Sequence, residues 1–170
     1  DEFNGLGIDV GAPIISYTVL SSTCSTGDRT LAGVTITDAS GVPTAGSLRP
    51  RIYYRKNAGT WFSQPGSLIS GSATNGTWDF TIVAADMGGL ASFDAVQYYV
   101  IAQDIVGTPN IGSNPSGAVA TDVNTVTSPP GSPNTFNIGG TLSGSYNVGV
   151  GQTYTTLTAA VTAYNSACGL

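Results

Sequence analysis

Apolar and polar residues alternate along most of this chain, and the alternation breaks at clusters of Gly, Pro, Asn and Asp. A period of two marks strands with one buried face, and those clusters supply the turns between them. The pattern predicts strands at Ile14–Leu20, Arg29–Thr37 and Arg51–Lys56, a short one at Trp61 and Phe62, then Thr77–Val83 and Asp94–Gln103. Leu31, Val34 and Ile36 carry the apolar face of the second strand, and Trp78, Phe80 and Ile82 that of the fifth. In the sixth, Val96, Tyr98 and Val100 share one face, with Tyr99 and Ile101 on the other. Ala84–Leu90 reads as a helical turn. Residues 105–134 form a Pro/Gly/Asn/Ser/Thr stretch with room for one strand near Val119, Val123 and Val126, closed by the stiff run Pro129-Pro130-Gly131-Ser132-Pro133. Six short strands without long helices between them predict an all-β, antiparallel β-sandwich.

After that run Phe136, Ile138, Leu142, Tyr146, Val148 and Val150 all take even positions, as in a half-buried strand or a C-terminal β-hairpin bent at Gly139-Gly140. The period then changes. Tyr154, Leu157, Val161, Tyr164 and Cys168 recur at three and four, one face of a short α-helix. Thr153 or Thr155 can cap its start and Gly169 its end. That apolar stripe must pack on the sandwich or on another chain. The expected organisation is an extended N-terminal arm over 1–12, a sandwich over 13–134, and a strand and helix appendage over 135–170.

Composition changes the picture mainly through charge. Of the 170 residues 41% are hydrophobic, which suits a folded core, but only 9% are charged, against roughly 25% in a typical soluble domain. The surface is therefore covered by hydroxyls, amides and backbone. A net charge of −5 argues against nucleic acid as a partner. Four of the five basic residues are Arg49, Arg51, Arg55 and Lys56; the first three share a strand face, either solvated or a small anion site. No run approaches the about 18–20 apolar residues of a membrane helix. Residue 1 is Asp and no signal peptide is visible, as in a processed chain or a piece of one.

Catalytic chemistry is thinly represented. There is no His, so the usual general base, the nucleophile-activating triads and His-ligated metals are absent. Lys56 is the only Lys, and no GxSxG elbow occurs. The acids mostly precede turns or end strands, and none of their loops is dense enough for calcium. Asp38-Ala39-Ser40-Gly41 and Asp104-Ile105-Val106-Gly107 share a DxxG spacing that reads as an Asp-stabilised turn. The chain is expected not to be an enzyme and to need no cofactor. Trp61, Trp78 and Tyr53 are candidates for an aromatic platform under sugar rings, although alternation favours a core position for Trp78. Asn75-Gly76-Thr77 fits a glycosylation acceptor and, better, a turn. Cys24 and Cys168 are the only cysteines. They can pair within the chain, stay unpaired and buried, or pair between subunits. An internal pair would close a loop of about 145 residues and stabilise by at most about 5 kcal/mol.

Several runs carry a resemblance: Arg29-Thr30-Leu31, Val34-Thr35-Ile36-Thr37-Asp38-Ala39-Ser40-Gly41-Val42, Arg49 through Lys56, and Val96-Gln97-Tyr98-Tyr99-Val100-Ile101-Ala102-Gln103-Asp104 with Gly107-Thr108-Pro109-Asn110. Over residues 13–140 the chain resembles the immunoglobulin-like modules of large secreted bacterial surface proteins, many of which leave by the type IX route. The resemblance implies an Ig-like or fibronectin-III-like sandwich, an extracellular or cell-surface location, and a role as spacer, stalk or adhesive repeat. Residues 142–161 resemble the opening segment of a parallel β-helix, where a short helix caps the first coil. No coil follows Leu170, so either the chain is cut from a longer protein or this segment is reused for docking. The leading expectation is a non-enzymatic structural subunit that joins its own copies head to tail into a fibre or surface layer. Its interface would use Ile8, Val10, Tyr154, Leu157, Val161 and Tyr164. The alternative is an Ig-like spacer or carbohydrate-binding module, with glycans or cell-surface polymers as partners.

Overall fold

The computed structural model describes residues 10–141, 144–165, 167 and 168. In chain order the strands are β1 (Ile14–Ser16), β2 (Arg29–Thr37), β3 (Arg51–Lys56), β4 (Phe62–Pro65), β5 (Ser67–Gly71), β6 (Asn75–Ile82), β7 (Ala95–Gln103), β8 (Ile111–Asn114), β9 (Val119–Ala120), β10 (Val126–Ser128) and β11 (Asn134–Asn137). One helix, α1, spans Leu157–Asn165, and a single 3-10 turn covers Ala84–Met87. The fold is an all-β, antiparallel sandwich. One sheet has the order β1-β2-β6-β5 and the other β11-β7-β3-β4, with β8 also on β7. Lettered in the immunoglobulin manner these are A-B-E-D and G-F-C-C′.

Three details set the shape. First, β1 stops at Ser16 rather than running to Leu20. Beyond it the chain leaves the first sheet: Leu20 donates its amide to the Tyr98 hydroxyl at 2.7 Å, and Thr23 bridges in parallel to Ile138. Second, β4 and β5 are one segment that crosses from sheet to sheet at Gly66, closing that side of the sandwich. The Gly66 amide bonds the Pro50 carbonyl at 2.8 Å, and a Cβ at this position would lie on the Phe80 ring. Gly66→Ala is therefore expected to destabilise the fold by about 1–3 kcal/mol. A urea midpoint equal to the wild type would contradict that close approach. Third, β3 holds one edge of β7, so β8 and β11 share the other, as two halves of a strand interrupted by residues 115–133. The expected C-terminal hairpin is thus a single strand inside the second sheet, and the boundary drawn at 134 falls within it. Among the described residues after it, Val148 makes only an isolated bridge, to Tyr154. Leu142 lies outside the described residues.

Alternation decides what is buried. Leu31, Val34, Ile36, Trp78, Phe80 and Ile82 from one sheet meet Ile52, Tyr54, Val96, Tyr98, Val100 and Phe136 from the other in the main core. The outer face of the second sheet is also covered. Tyr99, Ile101 and Val123 form a second cluster, against which Tyr53, Trp61 and Val126 pack beneath the β9–β10 hairpin. So β7 is buried on both faces, which explains its nearly continuous apolar run.

The topology also fixes the two ends of the sandwich. At one, the head pole, lie residues 10–13, the β2–β3 and β7–β8 connections and the tip of the β9–β10 hairpin. At the other, the tail pole, lie the β1–β2 loop with Cys24, the end of β11, and α1. Nine extended residues in β7 put these poles roughly 30 Å apart.

Candidate functional site

The tail pole is assembled around a disulfide. Cys24 and Cys168 are bonded, with Cα atoms 5.7 Å apart. The Cys168 amide also bonds the Gly140 carbonyl at 2.9 Å. These contacts hold α1 against the end of the sandwich. The helix begins at Thr156, whose Oγ1 accepts the Ala159 amide at 3.1 Å, and not at Thr153 or Thr155. An N-cap side chain reaches the third helical amide, which selects the residue just before Leu157. Gly169 lies outside the described residues.

The helix rests on its small side. Ala160 and Ala163 are half-buried, and Ala163 lines an apolar cleft of about 220 Å³ with Phe93, Ile138, Gly139 and Gly140. Phe93 is held at φ 73° and remains largely exposed. The large residues of the stripe point away: Leu157 is 70% exposed, Val161 48% and Tyr164 55%. The stripe therefore does not pack on its own sandwich. Tyr154, half-buried, meets Tyr146 edge-on, with ring centroids 5.6 Å apart. Val10 is exposed at the opposite pole, and Ile8 lies outside the described residues.

The head pole carries a groove of about 470 Å³, lined by Pro43, Leu48, Ile105, Val106 and Pro109 with Asp104 and Asp122. Sequence reasoning did not find it, because single apolar residues in separate loops leave no periodic signal. Its carboxylates are engaged locally. Asp104, itself buried, accepts the backbone and side-chain N–H groups of Asn110 at 2.9 and 2.6 Å. Asp122 accepts the Asn124 amide at 2.7 Å and the Thr125 hydroxyl at 3.1 Å.

The remaining described acids are committed in the same way. Asp28 accepts the Ala84 amide, Asp79 the Gly33 amide, and Asp38 the amides of Ser40 and Gly41, as its DxxG turn predicts. Asp86 takes bonds from the Tyr54 hydroxyl and the Gln64 amide, which together hold its carboxyl below the ordinary range. Burial, then that hydrogen bond, pushes the Tyr54 phenol up. Asp94 accepts from Ala91 and Asn57 and faces Lys56 at 3.9 Å. Among the described residues no group of three or more acids and cysteines could hold a metal ion.

The basic residues do not form one site either. Strand β3 starts at Arg51, so Arg49 lies off its face and bonds the Gly46 carbonyl. Arg51 bonds the Ser63 hydroxyl, Arg55 the Gln97 side chain and Lys56 the Gly89 carbonyl.

The aromatic candidates are separated. Trp78 is fully buried on the inner face of β6 with Phe80 and Ile82, so it offers no ring to a sugar. Trp61 packs edge-on to Tyr99 at 5.1 Å beneath the Arg55 guanidinium, 4.5 Å from its ring. Tyr53 stacks on Tyr99 at 5.3 Å and donates its hydroxyl to the Val123 carbonyl at 2.9 Å. Asn75 is exposed at the turn into β6.

The chain matches no protein-family model and no curated protein. Among the described residues no helix is long and apolar enough to cross a membrane.

Proposed function

We propose that the protein is a non-enzymatic, extracellular structural module that acts as a rigid spacer and joins neighbouring folded units pole to pole. The observation that carries this reading is polarity. Residues 10–13 lie at one end of the sandwich, and a disulfide-pinned helix with its large apolar residues bare lies at the other. A unit with attachment points at opposite ends builds a line rather than a closed cluster.

Other observations support the same reading. The disulfide suits an oxidising compartment. The described carboxylates already accept hydrogen bonds from backbone amides and neighbouring side chains. The strand order agrees with the immunoglobulin-like spacer modules that the sequence resembles. Imaging of material taken from its native surface by negative stain tests the proposal. Units joined end to end, with a repeat no shorter than roughly 30 Å, are expected. Isolated globular particles with nothing at either pole would overturn it.

A further inference from the structure

We infer that the neighbour at the tail pole is a second copy of this chain, whose head-pole groove receives helix α1. The inference rests on the pole-to-pole reading and names the joint. Leu157, Val161 and Tyr164 stand at i, i+4 and i+7, the spacing by which an amphipathic helix anchors in an apolar groove. The surface helix of a free domain turns charged or polar residues outward. This one turns its large apolar residues outward, and no charged residue follows Asp122 anywhere in the chain. Covering the helix therefore desolvates no charge.

The groove offers apolar contacts beside two carboxylates, of which Asp104 is already buried. Ile105 and Leu48 are exposed beside Pro43, Val106 and Pro109, and the Asp104 and Asp122 carboxylates already have their hydrogen bonds. A partner can cover the apolar floor without orphaning either acid. The Cys24–Cys168 bond holds α1 at the tail pole, so the helix does not reach the groove of its own chain. Helix and groove are thus two different surfaces at opposite ends, a heterologous contact that leaves one free helix and one free groove on every dimer. Such a contact propagates.

That asymmetry supplies the test. A helix variant, Leu157→Glu with Val161→Glu, and a groove variant, Leu48→Glu with Ile105→Glu, are compared with the wild type by analytical ultracentrifugation over a concentration series. All four positions are exposed, and circular dichroism with a thiol assay checks that fold and disulfide persist. The wild type is expected to form a ladder of oligomers. Each variant alone should need about a hundredfold higher concentration to associate. A one-to-one mixture should form dimers and stop, because only one intact helix and one intact groove can meet. A wild type that stays monomeric to its solubility limit, or a variant that forms the full ladder, overturns the inference. Monomeric recombinant chain beside end-to-end arrays in native material would remove this joint and leave the spacer reading standing. Absence of arrays in native material removes the spacer reading itself.

Discussion

Trp78→Ala is expected to destabilise the sandwich by about 3–5 kcal/mol, and Trp61→Ala by less than half of that. The two residues look equivalent in composition and differ in placement. Trp78 stands on the inner face of β6, opposite Val34 on β2, and is the largest side chain in the main core. Its removal opens a cavity between two sheets that are fixed by their own hydrogen bonds and cannot collapse into it. Its indole lies against Gly76, where a Cβ would come within 2.7 Å of Nε1, so the ring position is also set by a missing side chain. Nε1 is buried without a hydrogen-bond partner. Trp78→Phe removes that orphan donor together with some volume and should cost distinctly less than Trp78→Ala. Trp61 sits at the margin of the second cluster, where Arg55 and the β9–β10 hairpin can settle into the space it leaves. Urea denaturation of the three variants measures the order. If Trp61→Ala proved the more damaging, the assignment of the main core to the inter-sheet face would be wrong.

The same placement explains which parts of the fold were legible. Strands β2 and β3 form at the residues their alternation predicts, because each has one face against the other sheet and one toward the outside. Strand β7 was legible for a different reason: with both faces covered, it is apolar at nearly every position, broken within the run only by Gln97. Strand β5 left no trace in the pattern. Ser67-Leu68-Ile69-Ser70-Gly71 is an edge strand with a bulge, and it is ordered by pairing with β6 rather than by burial. The hairpin over the second cluster was barely visible, since only Val123 of its three valines is buried.

The two poles differ in the same way. The helix stripe was legible as a period, but its direction was not. Ala163 faces the cleft over Gly139 and Gly140 while Leu157, Val161 and Tyr164 turn outward, and a period marks an apolar face without saying what covers it. The head groove depends on loops 61 positions apart in sequence, Pro43 to Leu48 and Asp104 to Pro109, and only the sheet topology brings them together. The cysteine pairing was open on spacing alone and is decided by the path of the β1–β2 loop, which the Thr23–Ile138 bridge carries to the end of β11.

Reduction of Cys24–Cys168 is expected to release the tail and leave the sandwich folded. The two cysteines are 144 positions apart, and the chain-entropy account gives such a bond at most about 5 kcal/mol. The observed loss should be smaller. Once cut, residues beyond Gly140 regain freedom in the folded protein, which offsets part of the freedom gained on unfolding. A helix of nine residues is too short to persist by itself in water, and Ala163 is the residue of α1 that lines the cleft against the sandwich. The reduced protein, or Cys24→Ser with Cys168→Ser, should therefore melt several degrees lower while keeping a cooperative transition. Limited proteolysis should cut between Gly140 and Leu157 in the reduced form and spare the oxidised one. Self-association should vanish together with that protection, since a melted α1 no longer aligns Leu157, Val161 and Tyr164. A reduced protein that keeps both its protease resistance and its oligomers would show that the bond does not hold the helix. The tail would then need an anchor other than Cys168, and the outward stripe would lose its claim to be a presented surface.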